Sequence, residues 1–242
     1  MILIIGSNHD DVLYFENLIK DPSEEVVLKK YHILKGSIAN QEVIILQDVY
    51  TSMVSSMLTS YLITKYLIMM VFVVGRCSAL TPNLTYGDVV VSDQALFSDV
   101  DLVAKAKGNR LGQIPGYESS FKPSLRLLHN MNSALDTIVG THYGASFFSS
   151  SFFRLNKEII NDEAVKHLTS ISTYCVLDGE TTGVALACHE HDVPFVSVKV
   201  VESLVGEYTS LENYIMVLEK FALVGKAVAL CIEQIHRTDV IR

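Results

Sequence analysis

Tryptophan is absent from the 242 residues, proline occurs five times and cysteine four times. Charge is sparse too: Asp, Glu, Lys and Arg make up 19% of the chain, and 27 acids against 19 Lys and Arg give a formal net charge of −8. The shortage of positive charge excludes a protein built for non-specific nucleic-acid binding, which needs clustered cations against phosphates. Sparse charge with 49% hydrophobic residues and a mean hydropathy of +0.31 excludes an intrinsically disordered chain. Cys77, Cys175, Cys188 and Cys231 are widely scattered and form no CxxC pair. No zinc site, redox dithiol or other metal site is therefore expected, and the four read as reduced, buried thiols. Met1 to Gly6 carries no basic leader region and turns acidic at Asp10 and Asp11, unlike a secretory signal. The expected location is the cytoplasm.

An uninterrupted membrane span is also missing. The most apolar run, Met57 to Gly75, approaches the required length but has Lys65 in its middle, where a charge costs about 2.5–3.5 kcal/mol on insertion scales. The run changes period halfway. Met53, Met57 and Tyr61, with Leu58 and Leu62, recur at helical spacing, and Val71 to Val74 is a short β-rich stretch ending at Gly75. The pattern predicts a helix feeding a buried strand, and no membrane association.

What the chain does have is alternation. A strand over Met1 to Gly6 precedes a helix over Asp10 to Ile19, with Asp10 and Asp11 placed to complement its N-terminus. Val26 to Leu34 and Gln41 to Gln47 read as strands of a hairpin turning through Gly36 to Asn40. Further strands are expected over Gly87 to Asp93, Ile138 to Phe148, Tyr174 to Leu177 and Val193 to Val201. Helices are expected over Leu125 to Leu135, Lys157 to Leu168 and Thr181 to His191, and in a long final segment that Ser210 caps. Phe97 to Ser124 reads as a long loop. The fold class is α/β: a single-domain three-layer sandwich with a twisted mixed central β-sheet flanked by helices. No linker or repeat divides it, so residues 1–242 are read as one domain.

In such sheets ligands bind beyond the carboxyl ends of the strands. Those positions hold Ser7, Asn8, Asp10 and Asp11; Gly75, Arg76, Cys77 and Ser78; Ser146, Phe147 and Phe148; Asp178, Gly179 and Glu180; and Lys199, Glu202 and Ser203. Paired carboxylates can run acid–base chemistry when their surroundings separate their pKa values. Cleavage of a sugar bond needs such groups to help the leaving group, activate water and stabilise an oxocarbenium-like state. Asp11, Glu180 and Glu202 suit these roles, although an Asp-Gly-Glu after a strand is also an ordinary turn and helix start. His189 and His191, beside Glu190 and Asp192, resemble a metal cluster in composition but read as a solvated helix end.

Several segments taken together resemble the nucleoside phosphorylase/nucleosidase superfamily, most of all its bacterial 5′-methylthioadenosine/S-adenosylhomocysteine nucleosidases. They are Ile4 to Val12, Gly75 to Pro82, Tyr86 to Asp93, Gly112 to Gly116, Asp178 to Ala185 and Val193 to Lys199. The resemblance implies hydrolysis of the N-ribosidic bond of a purine nucleoside: methylthioadenosine, S-adenosylhomocysteine or a futalosine-type substrate. It implies no cofactor, a small-molecule nucleoside as partner and a homodimer in which the Phe97 to Gly116 loop completes a neighbour's pocket. Asp11 matches the acid that activates water, Glu180 the acid that binds the ribose hydroxyls and Phe148 an aromatic that packs on the purine. The acid that assists N7 protonation falls on Ser203 by direct counting, or on Glu202 with a one-residue shift. Arg76 stands in a turn that the family builds from small residues, Gly179 where a larger side chain packs beside the ligand, and Lys199 with Arg76 offers positive charge. A phosphate-dependent phosphorylase and a catalytically degenerate nucleoside-binding homologue are the alternatives.

Overall fold

The computed structural model describes residues 1–104, 108–149, 166, 169–205, 207 and 209–240. Nine strands form one mixed sheet in the order β2-β3-β4-β1-β5-β8-β7-β6-β9. They are β1 (Ile2–Ile5), β2 (Lys20–Val27), β3 (Tyr31–Ile38), β4 (Gln41–Leu46), β5 (Met70–Ala79), β6 (Val89–Phe97), β7 (Thr141–Ser149), β8 (Cys175–Asp178) and β9 (Phe195–Leu204). A further pairing of β5 with β9 closes β5, β8, β7, β6 and β9 into a ring. The helices are α1 (His9–Leu18), α2 (Ser52–Tyr66), α3 (Leu125–Leu135), α4 (Thr181–Glu190) and α5 (Leu211–Val240).

Side-chain alternation along the buried strands makes the three layers. Ile2 and Ile4 of β1, with Phe72 and Val74 of β5, face a core shared with α1, α3 and α5. Leu3 and Ile5, with Val71 and Val73, face the opposite core under α2 and α4. The apolar run divides as expected, into α2 and then β5. Among the described residues no helix is long and apolar enough to cross a membrane. All four cysteines are free and buried.

The hairpin differs from expectation. The stretch Val26 to Leu34 is not one strand: it holds the turn between β2 and β3, where Leu28 and Lys29 adopt φ of 47° and 68°. The next turn is only Ala39 and Asn40, at φ of 50° and 61°, the paired left-handed conformation of a tight hairpin. Gly36 lies inside β3, and a Cβ there would come within 2.5 Å of the Lys20 carbonyl oxygen. It serves close packing rather than turning. Pro22 belongs to the edge strand β2, at an irregularity between Lys20 and Ser23, where a missing N–H is tolerated. β5 and β9 also run on through Arg76 to Ala79 and through Glu202 to Leu204, because β5–β9 pairing continues past the apolar stretch. The long loop is tied back by the Ala95–Phe121 bridge. The expected helix over Lys157 to Leu168 lies outside the described residues but for position 166.

Helix α4, which begins at the site, lies directly against α2. A Cβ on Gly183 would fall 2.0 Å from the Ser52 carbonyl oxygen and 2.2 Å from Ser55 Oγ. Gly183→Ala is expected to destabilise the protein by about 1–3 kcal/mol in urea unfolding; an unchanged midpoint contradicts this close crossing. Leu67, 79% exposed, ends α2 in the left-handed conformation at φ 53°. Leu67→Gly is expected to stabilise by about 0.5–1 kcal/mol in the same measurement, as glycine relieves the strain at a smaller entropic cost.

Candidate active site

A cavity of about 330 Å³ opens beyond the carboxyl ends of β1 and β8. Ser7 and Asn8 line it from the turn after β1, and Tyr50 and Thr51 from the approach to α2. Arg76, Cys77 and Ser78 enter from β5, Leu177 to Glu180 from β8 and the start of α4, and Glu202 and Ser203 from β9.

Asp11 sits in the first turn of α1, where its Oδ2 accepts the Asn8 backbone N–H at 3.0 Å. This caps a donor that the helix leaves free. Behind it Gly75 has φ of 132°, and a Cβ there would lie 2.6 Å from Asp11 Oδ2. The glycine thus lets the buried carboxylate lie against β5. The other oxygen, Oδ1, accepts Arg76 Nε at 2.9 Å, and Arg76 Nη1 donates to Glu202 Oε1 at 2.8 Å. Arg76 Nη2 lies 3.7 Å from Asp10 Oδ2 without a hydrogen bond. The guanidinium carbon is 5.8 Å and 5.3 Å from the ring centroids of Tyr214 and Phe221 of α5, within cation–π range. Burial pulls the Arg76 pKa down, but Asp11 and Glu202 more than offset it, and the group is held above its ordinary value.

A second buried cation lies deeper. Lys199 is fully buried on β9 and contacts Glu180 Oε1, the Val74 carbonyl oxygen at 3.2 Å and Asp178 Oδ2 at 3.6 Å. Ser7 Oγ donates to Glu180 Oε1 at 2.6 Å, and the Gly179 N–H to Oε2 at 3.1 Å. Asp178 accepts from the Ser149 and Thr181 hydroxyls and, at 3.2 Å, from the Thr181 N–H. Burial and the neighbouring Asp178 push the Glu180 carboxyl up, against the pull of Lys199, to about 7. Burial lowers the Lys199 pKa, yet Glu180 and Asp178 outweigh it and keep the ammonium above its ordinary value. Burial, joined by the nearby carboxylates of Asp178, Glu180 and Glu202 and opposed by Lys199, pushes the Cys77 thiol well up, which keeps it a poor nucleophile.

Glu202 and Ser203 share the cavity because β9 bulges there. Val201 pairs with Cys77 and Ser203 with Ser78, so Glu202 is the extra residue. A bulge re-aims side chains, and here neighbouring residues both reach the site. Glu202 meets Arg76, while Ser203 Oγ is 2.7 Å from Ser78 Oγ.

The structure therefore brings Arg76, Gly179, Glu180, Glu202 and Ser203 to one cavity. Asp11 stands behind Arg76. Lys199 and Phe148 are wholly buried, and neither lines the cavity. Phe148 packs with Leu96, Cys175 and Leu177, and of these only Leu177 reaches the cavity wall. Asp178 was visible in the Asp-Gly-Glu segment, but nothing in the sequence marked it as the partner of Lys199. Tyr50 and Leu177 carried no signal. His189 packs against Tyr117 and Phe121, and His191 Nε2 is 2.7 Å from Ser60 Oγ. Among the described residues no group of three or more His, Cys, Asp or Glu could hold a metal ion.

Removing Arg76 strands two carboxylates. Arg76→Met is expected to destabilise the protein by about 3–5 kcal/mol at pH 8. The loss should shrink towards pH 4, where protonation relieves the unpaired acids. Equal losses at both pH values in urea unfolding would show that the guanidinium is not holding charge.

The sequence matches the Phosphorylase superfamily over residues 1–236. A 5′-methylthioadenosine/S-adenosylhomocysteine nucleosidase of Staphylococcus haemolyticus is 28% identical over 213 residues, covering 84% of this chain and 86% of the relative. Its counterpart from Staphylococcus aureus is 26% identical, covering 92% and 94%. The fold is that of the Neisseria meningitidis nucleosidase of the same name, solved with methylthio-immucillin-A: TM-score 0.85, 20% identity, 96% of this chain and 98% of that one. A Borrelia burgdorferi structure described as a putative nucleosidase of this type, bound to adenine, has TM-score 0.80, 20% identity and coverage of 97% and 100%. With a family match spanning nearly its whole length, the chain belongs to the phosphorylase superfamily.

Proposed function

We propose that the protein is a purine nucleosidase that hydrolyses the N-ribosidic bond with water. The observation that carries this reading is the cavity itself: a buried carboxylate, Glu180, and a second acid, Glu202, both line a space of about 330 Å³, large enough for a small ligand. Relatives that carry the nucleosidase name over 84–92% of this chain support it. Oε2 of Glu180 accepts a sugar hydroxyl. As the bond breaks, positive charge develops on the ribose, and the surrounding carboxylates stabilise it. Asp11 orients the attacking water while it stays paired with Arg76. Ser203 hydrogen-bonds the departing base, and Glu202 stands beside it. Leu177, backed by Phe148, and the exposed ring of Tyr50 offer the apolar surface for the purine.

Hydrolysis is preferred over phosphorolysis on charge. Arg76 already lies between Asp11 and Glu202, and Lys199 between Glu180 and Asp178. A phosphate entering here would meet more carboxylates than cations. The reading includes residues 1–242 as one domain, a cytoplasmic location and a homodimer. Met53 and Met57 of α2, 70% and 47% exposed, offer apolar area to a second copy.

Base release in phosphate-free buffer, with methylthioadenosine, S-adenosylhomocysteine and aminodeoxyfutalosine, tests the reading. Release from at least one is expected, unchanged by added phosphate. Glu180→Ala should lower kcat/KM at least about tenfold, the worth of one charge-assisted bond to the sugar. Since only ionised Glu180 accepts this bond well, kcat/KM should fall as pH drops below about 7. Binding without release, or an active Glu180→Ala protein, would overturn the assignment.

A further inference from the structure

A lysine beside an active cavity suggests a direct hand on the substrate, but Lys199 has none to offer. The ammonium carries three protons, and three protein oxygens surround it: Glu180 Oε1, the Val74 carbonyl oxygen and Asp178 Oδ2. The residue has no exposed surface. Its pairing partner across β5 and β9 is Gly75, the residue against which Asp11 packs. Glu180 is fixed just as fully on one side. Oε1 receives both Lys199 and the Ser7 hydroxyl, so its two lone-pair directions are filled. Among the described residues Oε2 receives only the Gly179 N–H and keeps one acceptor direction open.

We propose that Lys199 never touches the nucleoside and is a positioning residue: it holds Glu180 Oε1, keeps that carboxylate charged, and leaves Oε2 as the one acceptor presented to the sugar. Asp178 takes the opposing part. It holds the ammonium from the far side and, as a like charge, works against ionisation of Glu180. This rests on the reading of Glu180 as the acceptor of a sugar hydroxyl. The other charged or titratable groups near the pair are Asp11 from α1, Arg76 and Cys77 from β5, and Glu202 from β9. Asp11 and Glu202 are bound to Arg76, and Cys77 is held neutral by burial. From α2 only the Ser55 hydroxyl reaches the residue, at the Glu180 carbonyl oxygen, 2.9 Å away. Alongside the upward push of burial, Lys199 and Asp178 are therefore the charged groups that act most strongly on Glu180.

The two partners should act with opposite sign. In Lys199→Met the acidic limb of the kcat/KM profile is expected to move up by about one pH unit or more, leaving activity at pH 7 at least about fivefold down and largely recovered by pH 9. In Asp178→Asn the limb should move down by about one pH unit. Lys199→Arg, which keeps the charge, should restore most of the wild-type profile. Infrared difference titration gives the same answer without turnover: the protonated carboxyl band, assigned by its loss in Glu180→Gln, should persist to higher pH in Lys199→Met and vanish at lower pH in Asp178→Asn. If Lys199→Met does not fold, the Asp178→Asn titration decides. Loss of activity at every pH with unshifted titrations in both variants would overturn the proposal and reduce Lys199 to a structural tie. A wild-type protein that releases no base would overturn the nucleosidase reading, while the infrared shifts would still decide the role of Lys199.

Discussion

Where β5, β8 and β9 meet, an ammonium group without exposed surface lies between two buried carboxylates. Desolvating such charges costs several kcal/mol each, recovered only when every proton and lone pair finds a partner. The surroundings meet that demand except at Glu180 Oε2, which keeps one acceptor direction open. Ser7, Ser149 and Thr181 turn hydroxyls towards the carboxylates, Gly179 and Thr181 give N–H groups, and Val74 gives a carbonyl oxygen. With Lys199 these residues come from five places in the chain, so the cluster assembles only when the sheet is complete. Breaking one such pair costs about 3–5 kcal/mol, a large part of the 5–15 kcal/mol by which a domain of ordinary stability is folded. Site and fold depend on the same contacts.

Arg76 repeats that logic one layer outwards. It stands between Asp11 and Glu202 and under the rings of Tyr214 and Phe221. The final helix is thereby joined to the cavity wall. The arrangement leaves the site rich in carboxylates, with both cations already engaged. Such a field suits a sugar that gains positive charge and opposes a phosphate nucleophile. The bulge at Glu202 adds a further consequence: the acid and the serine beside it reach the same space, one towards Arg76 and one towards Ser78.

Much of this was legible in the sequence, for identifiable reasons. Strands of β-branched residues and helices with a 3.6-residue period gave the alternation, and the change of period between Leu62 and Val71 resolved the apolar run. Glycine does not mark the turns of the hairpin. Leu28, Lys29, Ala39 and Asn40 make the turns instead, while Gly36 serves packing. The strands run on past Gly75 and Val201, since pairing continues where hydrophobicity stops. Candidate residues followed from their positions after strands, but partnerships did not. Arg76 lies 65 residues from Asp11, and Ser7 lies 173 from Glu180. Lys199 reads as a cation for a ligand until its three oxygen neighbours are known.

The central claim is that Glu180 offers one charged acceptor to a ribose. Calorimetric titration above pH 8 in phosphate-free buffer, comparing a purine ribonucleoside with its 2′,3′-dideoxy counterpart, tests it most directly. The account predicts that the ribonucleoside binds at least about tenfold more tightly, the worth of one hydrogen bond to a charged group. Equal affinity for the two would contradict it.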